Sequence, residues 1–226
     1  MTNRINNKLN KLIKYYNFIN HSLVYDNKPI NRYKKNNKQL KLEKLSSSLK
    51  NIKNCELKKS ANNLVFADGN PDAKIMIIGE GPGSNEDKEG FPFVGRAGQL
   101  LDKMLLAINL SRKNVYITNV VNYRPPENRK PTDKEVAKYL PFLKSHIEII
   151  KPKIILLLGS TAMNAILKNA DVISKMRGKW IEIEINKFKI FSIVSFHPAY
   201  LLRQPDQKKF SWIDLKMIRE KLKKVS

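Results

Sequence analysis

The sequence has almost no cysteine and no long apolar segment. Cys55 is the single cysteine in 226 residues, which excludes an intramolecular disulfide and suits a reducing compartment. The longest apolar runs, such as Ile154 to Gly159, are strand-sized and fall far short of the about 18 to 20 residues that cross a bilayer. The N-terminus is basic, but no apolar segment follows it as in a secretory signal. We therefore expect a cytoplasmic protein that does not associate with membranes.

Acidic residues are also scarce. The chain carries 43 Lys and Arg against 20 Asp and Glu, a formal net charge of +23. An excess of this size is typical of proteins that bind a polyanion such as DNA or RNA. Drift of an AT-rich genome towards Lys, Asn and Ile codons is an alternative explanation that the charge alone leaves open.

The basic charge is concentrated at the start of the chain. The first fifty residues hold 12 Lys and Arg, and their only acids are Asp26 and Glu43. Apolar residues recur at helical spacing from Leu9 to Ile19, and less regularly over residues 39–53. We therefore predict that residues 1–54 form a basic, helical N-terminal extension.

Residues 55–226 are typical of one α/β domain. Thr132 and Glu135 have the spacing of a capping box, which predicts a helix that continues to about Ile150. Helical patterns of this kind alternate with short apolar runs, so we predict a three-layer α/β/α sandwich around a mainly parallel, four-stranded central sheet. In such sheets ligands bind beyond the carboxyl ends of the strands. The strand-like runs are AKIMIIG from Ala73, NVYITNVV from Asn114, KIILLLG from Lys153, KWIEIEI from Lys179 and KFKIFSIVS from Lys187.

The glycine-rich loop from Gly79 to Gly95, GEGPGSNEDKEGFPFVG, does not match a nucleotide-phosphate cradle. Ser84 stands where the dinucleotide fingerprint requires its third glycine, and Pro82 removes an amide donor. No Gly-Lys-Ser/Thr follows, so a Walker loop is excluded as well. Four carboxylates would also repel a phosphate, so the loop serves another ligand: Glu80, Glu86, Asp87 and Glu89.

Several segments in this order resemble the family 4 uracil-DNA glycosylases. The resemblance covers about Cys55 to the terminal helix and excludes the N-terminal extension. A GxPFVGxAGxLL stretch followed at this separation by HPxYLLR is highly specific, whereas either motif alone would be moderately so. The shared stretches are VFADGNPDAKIMIIGEGPG from Val65, the acidic pair Glu86 and Asp87, GFPFVGRAGQLL from Gly90, VYITNVVNYRPPENR from Val115, PFLKSHIEIIKPKIILLLG from Pro141, RGKW from Arg177 and FHPAYLLR from Phe196.

The resemblance implies an enzyme that flips uracil out of DNA and hydrolyses its N-glycosidic bond, which starts base-excision repair. The expected partner is uracil-containing DNA, single- and double-stranded, and the expected state is a monomer. A non-catalytic DNA-binding protein with the same fold is the alternative. A relative that traps the abasic sugar on a histidine is disfavoured, because NYRPPENRKPTDKE, after the second strand, is short and lacks histidine.

Family position implies two residues that recognise uracil. Asn119 is the expected reader, since an amide both donates and accepts hydrogen bonds and uracil differs from cytosine at O4 and N3. Phe93 is the expected stacking plate for the flipped base. Read without the family, Asn119 fits a turn former and Phe93 a core residue. Phe91 is expected in the core.

Family position also implies the catalytic groups. His197 and the backbone amide of Gly81 would donate to O2, where negative charge accumulates as uracil leaves. Glu80 is the first candidate to handle the attacking water, and Glu86 the second, as base or as orienting group. The best-known uracil glycosylases carry Asp where this chain has Gly81, so the assignment of Glu80 is a hypothesis. His197 also fits an ordinary loop histidine.

Two loops carry the candidate DNA contacts. The loop after the last strand would wedge its leucines into the emptied base stack, while Arg203 binds a phosphate. Alternatively, these leucines cover the terminal helix and the other arginines are solvated. The candidate residues are Tyr200, Leu201, Leu202 and Arg203 on one loop, and Arg124, Asn128 and Arg129 on the other.

One departure from the family concerns its iron–sulfur cluster. Family 4 enzymes typically hold [4Fe–4S] on four cysteines, but of those positions only Cys55 is a cysteine here. Ile52, Tyr123 and Tyr139 stand at the other three. One thiolate cannot hold a cluster that needs four ligands, so we expect no cluster, metal or other cofactor. We expect Cys55 to act as a small buried hydrophobe, and both tyrosines to fill the vacated volume and pack the N-terminal segment onto the domain.

Overall fold

The computed structural model describes residues 37–168, 171–186 and 188–225. The helix expected from Leu9 to Ile19 lies outside these ranges. The helices are α1 (Asn37–Lys50), α2 (Glu56–Ser60), α3 (Ser84–Glu89), α4 (Arg96–Leu106), α5 (Asp133–Ile150), α6 (Ser160–Leu167), α7 (Ile173–Met176), α8 (Pro198–Arg203) and α9 (Lys208–Lys224). The strands are β1 (Asp68–Gly69), β2 (Ile75–Gly79), β3 (Val115–Asn119), β4 (Ile154–Leu158), β5 (Trp180–Ile185) and β6 (Phe188–Ser195).

The strands form one sheet in the order β1-β3-β2-β4-β6-β5. The four inner strands β3, β2, β4 and β6 are parallel, as predicted. The sheet has six strands rather than four, because β1 and β5 add an antiparallel strand at each edge. The predicted mainly parallel α/β/α sandwich is confirmed with this extension.

Both faces of the sheet are covered, which explains why its strands are continuously apolar. Successive side chains of a strand point to opposite faces. Ile75 and Ile77 pack with residues of α4, α8 and α9, whereas Met76 and Ile78 pack with residues of α5 and α6. Helix α5 begins after Thr132, whose hydroxyl accepts from the Glu135 amide at 3.3 Å, so the predicted capping box and helix end are confirmed.

Helix α1 packs against α5 through its apolar stripe, which consists of Leu42, Leu45 and Leu49. Lys38 adds contacts to the Ile150 carbonyl at 3.2 Å and to the carboxylate of Asp72, three residues before β2, at 2.9 Å. The helix predicted over residues 39–53 is therefore present, with slightly earlier bounds. The boundary drawn between residues 54 and 55 stays a prediction.

The carboxyl ends of four parallel strands lie at one edge of the sheet, and this edge positions the site. The loops that follow β2, β3, β4 and β6 meet there. Each carries one of the segments singled out in the sequence. Within the described ranges, no helix is both long enough and apolar enough to cross a membrane.

Candidate active site

The six residues predicted to bind uracil or to act in catalysis line one cleft of about 180 Å³. A neighbouring cleft of about 670 Å³ shares two of them, Glu80 and His197, and also contains Tyr200 and Arg203. The two clefts therefore form a continuous surface at the carboxyl edge of the sheet. The six residues are Glu80, Gly81, Glu86, Phe93, Asn119 and His197.

Phe93 is held in the cleft by a backbone conformation that a bulky residue rarely adopts. Its φ is +56°, in the left-handed region, which carries a strain of about 1 kcal/mol or more. Arg112 holds this turn by donating to the Pro92 carbonyl at 3.0 Å and to the Phe93 carbonyl. The guanidinium is fixed in turn by Asp68 at 2.7 Å and Asp102 at 2.9 Å. Arg112 lies outside the motifs, and no pattern in the sequence indicates its role.

Gly79 and Gly98 lack side chains and so make room for Phe93 and, next to it, Asn119. A Cβ on Gly79 would lie 2.5 Å from the Phe93 ring and 2.4 Å from Oδ1 of Asn119. A Cβ on Gly98 would lie 1.6 Å from the Phe93 carbonyl oxygen. Any side chain at either position would displace Phe93 or Asn119 from the cleft.

Asn119 ends strand β3 and has an unmet hydrogen-bonding capacity. Its residue surface is 2% exposed, yet Oδ1 has no hydrogen-bond partner among the described residues. An unpaired buried acceptor costs about 1 to 3 kcal/mol, so such an atom is usually satisfied by a protein group, by water or by a ligand, and this one faces an open cleft. The acceptor therefore marks a place where a ligand donor is expected.

His197 is held as a neutral imidazole with a defined tautomer. Nδ1 accepts from the Ala199 amide at 3.2 Å, so the ring proton lies on Nε2. Burial, and to a lesser extent the charge of Arg203, lower the pKa of His197 to about 4, while the charge of Glu86 opposes the shift. The imidazole lies 5.5 Å from the Phe93 ring, measured between centroids, so both rings border the same space.

Glu86 is used to fix the loop. One carboxylate oxygen accepts from the Val94 and Gly95 amides at 3.0 and 2.8 Å, and the other accepts from the Gly83 amide at 3.1 Å. These bonds join the two ends of the segment that presents Phe93. Its role towards the attacking water, as base or as orienting group, stays a prediction.

Glu80 lies where the two clefts meet and is half-buried. The Thr161 hydroxyl, in the first turn of α6, donates to one oxygen of its carboxylate. The backbone is also fixed, since the Glu80 carbonyl accepts from the Val121 amide at 3.2 Å. Thr161 was not among the predicted site residues, although it follows β4 on the same rim.

The loop after β6 presents only some of the side chains predicted to contact DNA. Tyr200 and Arg203 line the larger cleft, and Leu202 is 37% exposed. Leu201 is 1% exposed and packs in the core under α4 and α9, so its side chain is not available to a base stack. Of the two leucines, Leu202 alone has a free side chain.

In the loop after β3, the predicted DNA contacts are already engaged with the protein. Nε of Arg124 donates to Oδ1 of Asn128 at 2.8 Å. Arg129 makes a bidentate pair with Glu135 at 2.8 and 2.7 Å. The hydrogen bond from Arg129, helped by those from Thr132, lowers the pKa of Glu135 to about 2. A phosphate at Arg129 would have to share the guanidinium with this carboxylate.

The prediction that Phe91 belongs to the core is wrong, because the side chain is 53% exposed. Gly90 has φ +78° and turns the chain after α3, so that Pro92 and Phe93 enter the interior while Phe91 points outward.

The four positions at which the resemblance predicts cluster ligands belong to one apolar cluster, and we call them the tyrosine plug: Ile52, Cys55, Tyr123 and Tyr139. Cys55 Sγ lies 3.1 Å from the hydroxyl of Tyr139, which is fully buried. Burial raises the pKa of both tyrosines. The plug offers one thiol and two neutral phenols, which do not fit a four-thiolate cluster. Among the described residues, no group of three or more His, Cys, Asp or Glu is placed to hold a metal.

Comparison with known proteins bears on this site. The family model of the uracil DNA glycosylase superfamily matches residues 66–219. The chain is 42% identical over 184 residues to the type-4 uracil-DNA glycosylase of Sulfurisphaera tokodaii, covering 79% of this chain and 84% of that protein. It is 45% identical over 163 residues to the type-4 uracil-DNA glycosylase of Thermotoga maritima, covering 72% and 83%. The chain belongs to the uracil-DNA glycosylase superfamily, among its type-4 members.

Proposed function

We propose that this protein excises uracil from DNA by hydrolysing the N-glycosidic bond, leaving an abasic site for base-excision repair. The observation that carries the proposal is the unpaired Asn119 amide oxygen, enclosed with the Phe93 and His197 rings in one cleft. Such a cleft combines a planar stacking surface with an acceptor that awaits a donor. These are the features that recognition of a flipped base requires.

Asn119 accounts for the choice of uracil over cytosine. Its Oδ1 would accept from N3–H of uracil, and its Nδ2 would donate to O4. Cytosine presents an acceptor at N3 and a donor at N4, so both pairs would be mismatched. A buried site that leaves such groups unpaired rejects the wrong ligand strongly.

His197 would stabilise the departing base. As the bond breaks, negative charge accumulates on O2, and a donor aimed at that atom lowers the barrier more than it stabilises the ground state. The proton on Nε2 supplies this donor, and the low pKa keeps the ring neutral near pH 7. The backbone amide of Gly81 is the second candidate donor in the same cleft.

Glu80 would orient the attacking water and stabilise the cationic sugar. Thr161 occupies one of its carboxylate oxygens, which leaves the other for a water molecule. Because Glu80 borders both clefts, it lies between the space for the base and the space for the DNA strand.

The larger cleft and the helix beside it would hold the DNA. Leu202 would enter the space left by the flipped nucleotide, and Arg203 and Tyr200 would contact the backbone. We further propose that the protein acts as a monomer on single- and double-stranded DNA.

We also propose that the enzyme works without an iron–sulfur cluster. The support is chemical, since the chain has a single cysteine and the tyrosine plug fills the corresponding positions with apolar and phenolic groups. Iron analysis of the purified protein, with an absorption spectrum, tests this directly. A brown protein with stoichiometric iron and sulfide would contradict it.

The function is tested with a labelled oligonucleotide that carries one uracil, incubated in chelator and then cleaved at abasic sites by alkali. We expect strand cleavage by the wild type and a loss of at least 100-fold in Glu80→Gln, with an unchanged melting temperature. Gel-shift binding without cleavage would instead support the non-catalytic DNA-binding alternative. Near-normal excision by Glu80→Gln would leave the function intact and remove Glu80 from its role.

A further inference from the structure

A cavity of about 220 Å³ lies outside the catalytic cleft, between α4 and α9. Its floor is apolar and includes Met104, Leu201 and Leu215. Leu201 and Tyr200 are neighbours on α8 and point about 100° apart, so this cavity and the larger catalytic cleft lie against different faces of one short helix. We call it the Trp212 groove.

Trp212 forms one wall of the groove and is 39% exposed, although it is among the largest apolar side chains of the chain. Lysines surround it: Lys103 and Lys208 line the groove, and Nζ of Lys216 lies 5.8 Å from the indole centroid. No acidic side chain is among the described lining residues. An exposed aromatic plate among cations is the arrangement by which proteins hold single-stranded nucleic acid, with the base stacked and the phosphates paired.

We infer that the Trp212 groove binds an unpaired base of the DNA strand that flanks the uracil, stacked on Trp212 with its phosphates near Lys103 and Lys208. This inference rests on the proposed function, because it takes DNA as the ligand. The charge favours DNA over an apolar segment of another protein, since the rim is cationic and this strand is the polyanion that the neighbouring cleft receives. A duplex keeps its bases paired, so the groove would favour single-stranded flanks.

Tryptophan fluorescence can detect a base stacked on Trp212, because the chain has only two tryptophans. In Trp180→Phe the emission comes from Trp212 alone. We expect a uracil-free single-stranded oligonucleotide to quench that emission, and its blunt duplex to quench it much less. The matched variant Trp212→Leu keeps Trp180, which is half-buried against Phe191 on the edge strand β5, away from the Trp212 groove, and should show little quenching.

Kinetics tests the consequence for the enzyme. For a single-stranded substrate with long flanks, we expect Trp212→Leu to raise KM about tenfold with kcat unchanged, since stacking of one base contributes about that factor. Trp212→Phe keeps an aromatic ring, so its KM should be close to that of the wild type. A minimal substrate too short to reach the groove should show the same KM in both proteins.

The outcomes separate this inference from the proposed function. The groove assignment would be wrong if Trp212→Leu had the wild-type KM for substrates of every length and DNA did not quench Trp212 emission. Normal excision in that case would still support the glycosylase function. Quenching by uracil-free DNA without any excision would support the groove and overturn the catalytic proposal. A change in Trp212 emission with protein concentration alone, together with a dimer mass in sedimentation, would assign the groove to a second copy of the chain and refute the DNA assignment.

Discussion

The catalytic cleft and the tyrosine plug depart from the family to very different degrees. In the cleft, the three residues that the resemblance assigns to uracil recognition and catalysis meet in one cavity: Glu80, Asn119 and His197. In the plug, Cys55 alone remains of four ligand positions, and the rest is packing. We therefore expect chemistry on a flipped base to depend on the cleft, and the plug to have a structural task that side-chain packing performs.

The largest expected effect comes from replacing Asn119, whose amide oxygen has no partner in the cleft. Asn119→Leu should lower single-turnover uracil excision by roughly 100- to 1000-fold, because both hydrogen bonds to the base are lost. Stability should be unchanged or raised, since Oδ1 has no partner to lose. Quenched-flow excision and thermal melts measure the two effects.

Asn122 provides the matched control three residues further along. It is also buried, but Nδ2 donates to the Val65 carbonyl at 3.0 Å. Asn122→Leu should therefore lower the melting temperature and leave excision by the folded protein near normal. If the two variants showed the same pattern, the distinction between a ligand-directed and a structural amide would be wrong.

Substitutions in the tyrosine plug should lower stability and leave excision unchanged, the opposite of Asn119→Leu. Tyr139→Ala empties a fully buried ring position, which should lower the free energy of unfolding by about 3 kcal/mol. Tyr139→Phe keeps the ring and loses only the contact with Cys55, so it should cost about 1 kcal/mol. Urea unfolding measures both values. Excision per folded molecule should stay within about twofold, and a large catalytic defect in Tyr139→Phe would show that the plug takes part in catalysis.

Acid should destabilise the helical layer that contains the plug. His146 on α5 is 2% exposed, neither ring nitrogen has a partner among the described residues, and burial lowers its pKa to about 3. The unfolded chain has a pKa near 6.5 and binds the proton first, so stability is present above about pH 6.5 and falls as the pH drops towards the folded value. Between pH 6.5 and 5 this group lowers the free energy of unfolding by about 1.6 kcal/mol.

His146→Phe is the variant that removes this titration. It keeps a ring against Phe66, whose centroid lies 4.5 Å away, and cannot gain a proton. Urea unfolding at pH 7 and pH 5 should show a smaller drop for the variant than for the wild type. Equal drops would place the acid sensitivity in other groups.

The sequence predicted the parts of the molecule that depend on local pattern. Parallel strands bring their carboxyl ends to one edge, so the sequence pattern alone predicts that Asn119 and His197 lie close together. Which leucine of the loop after β6 is free depends on the rotation of α8, and that is set by packing of Leu201 against α4 and α9. Edge strand β1 is two residues long and carries no periodic signal.

The residues that position the catalytic groups were beyond sequence reasoning for a similar reason. Arg112 reaches the Phe93 turn across 19 residues, and Thr161 reaches Glu80 across 81. Neither contact has a fixed spacing in the chain. Such partners are found only when the fold has brought distant segments into hydrogen-bond range.

Thr161 gives the smallest and most diagnostic effect on the cleft. If its hydroxyl holds Glu80 for the water, Thr161→Val should lower kcat about tenfold while KM stays constant, because the loss of one hydrogen bond of this kind amounts to about 1.4 kcal/mol. Thr161→Ser keeps the hydroxyl and should retain most of the wild-type rate. If Thr161 acted only by packing, Thr161→Val would keep its shape and show no loss. In the Glu80→Gln background, Thr161→Val should add little further loss, since the two residues act as a unit. Additive losses in the double variant would show that Thr161 acts independently of Glu80.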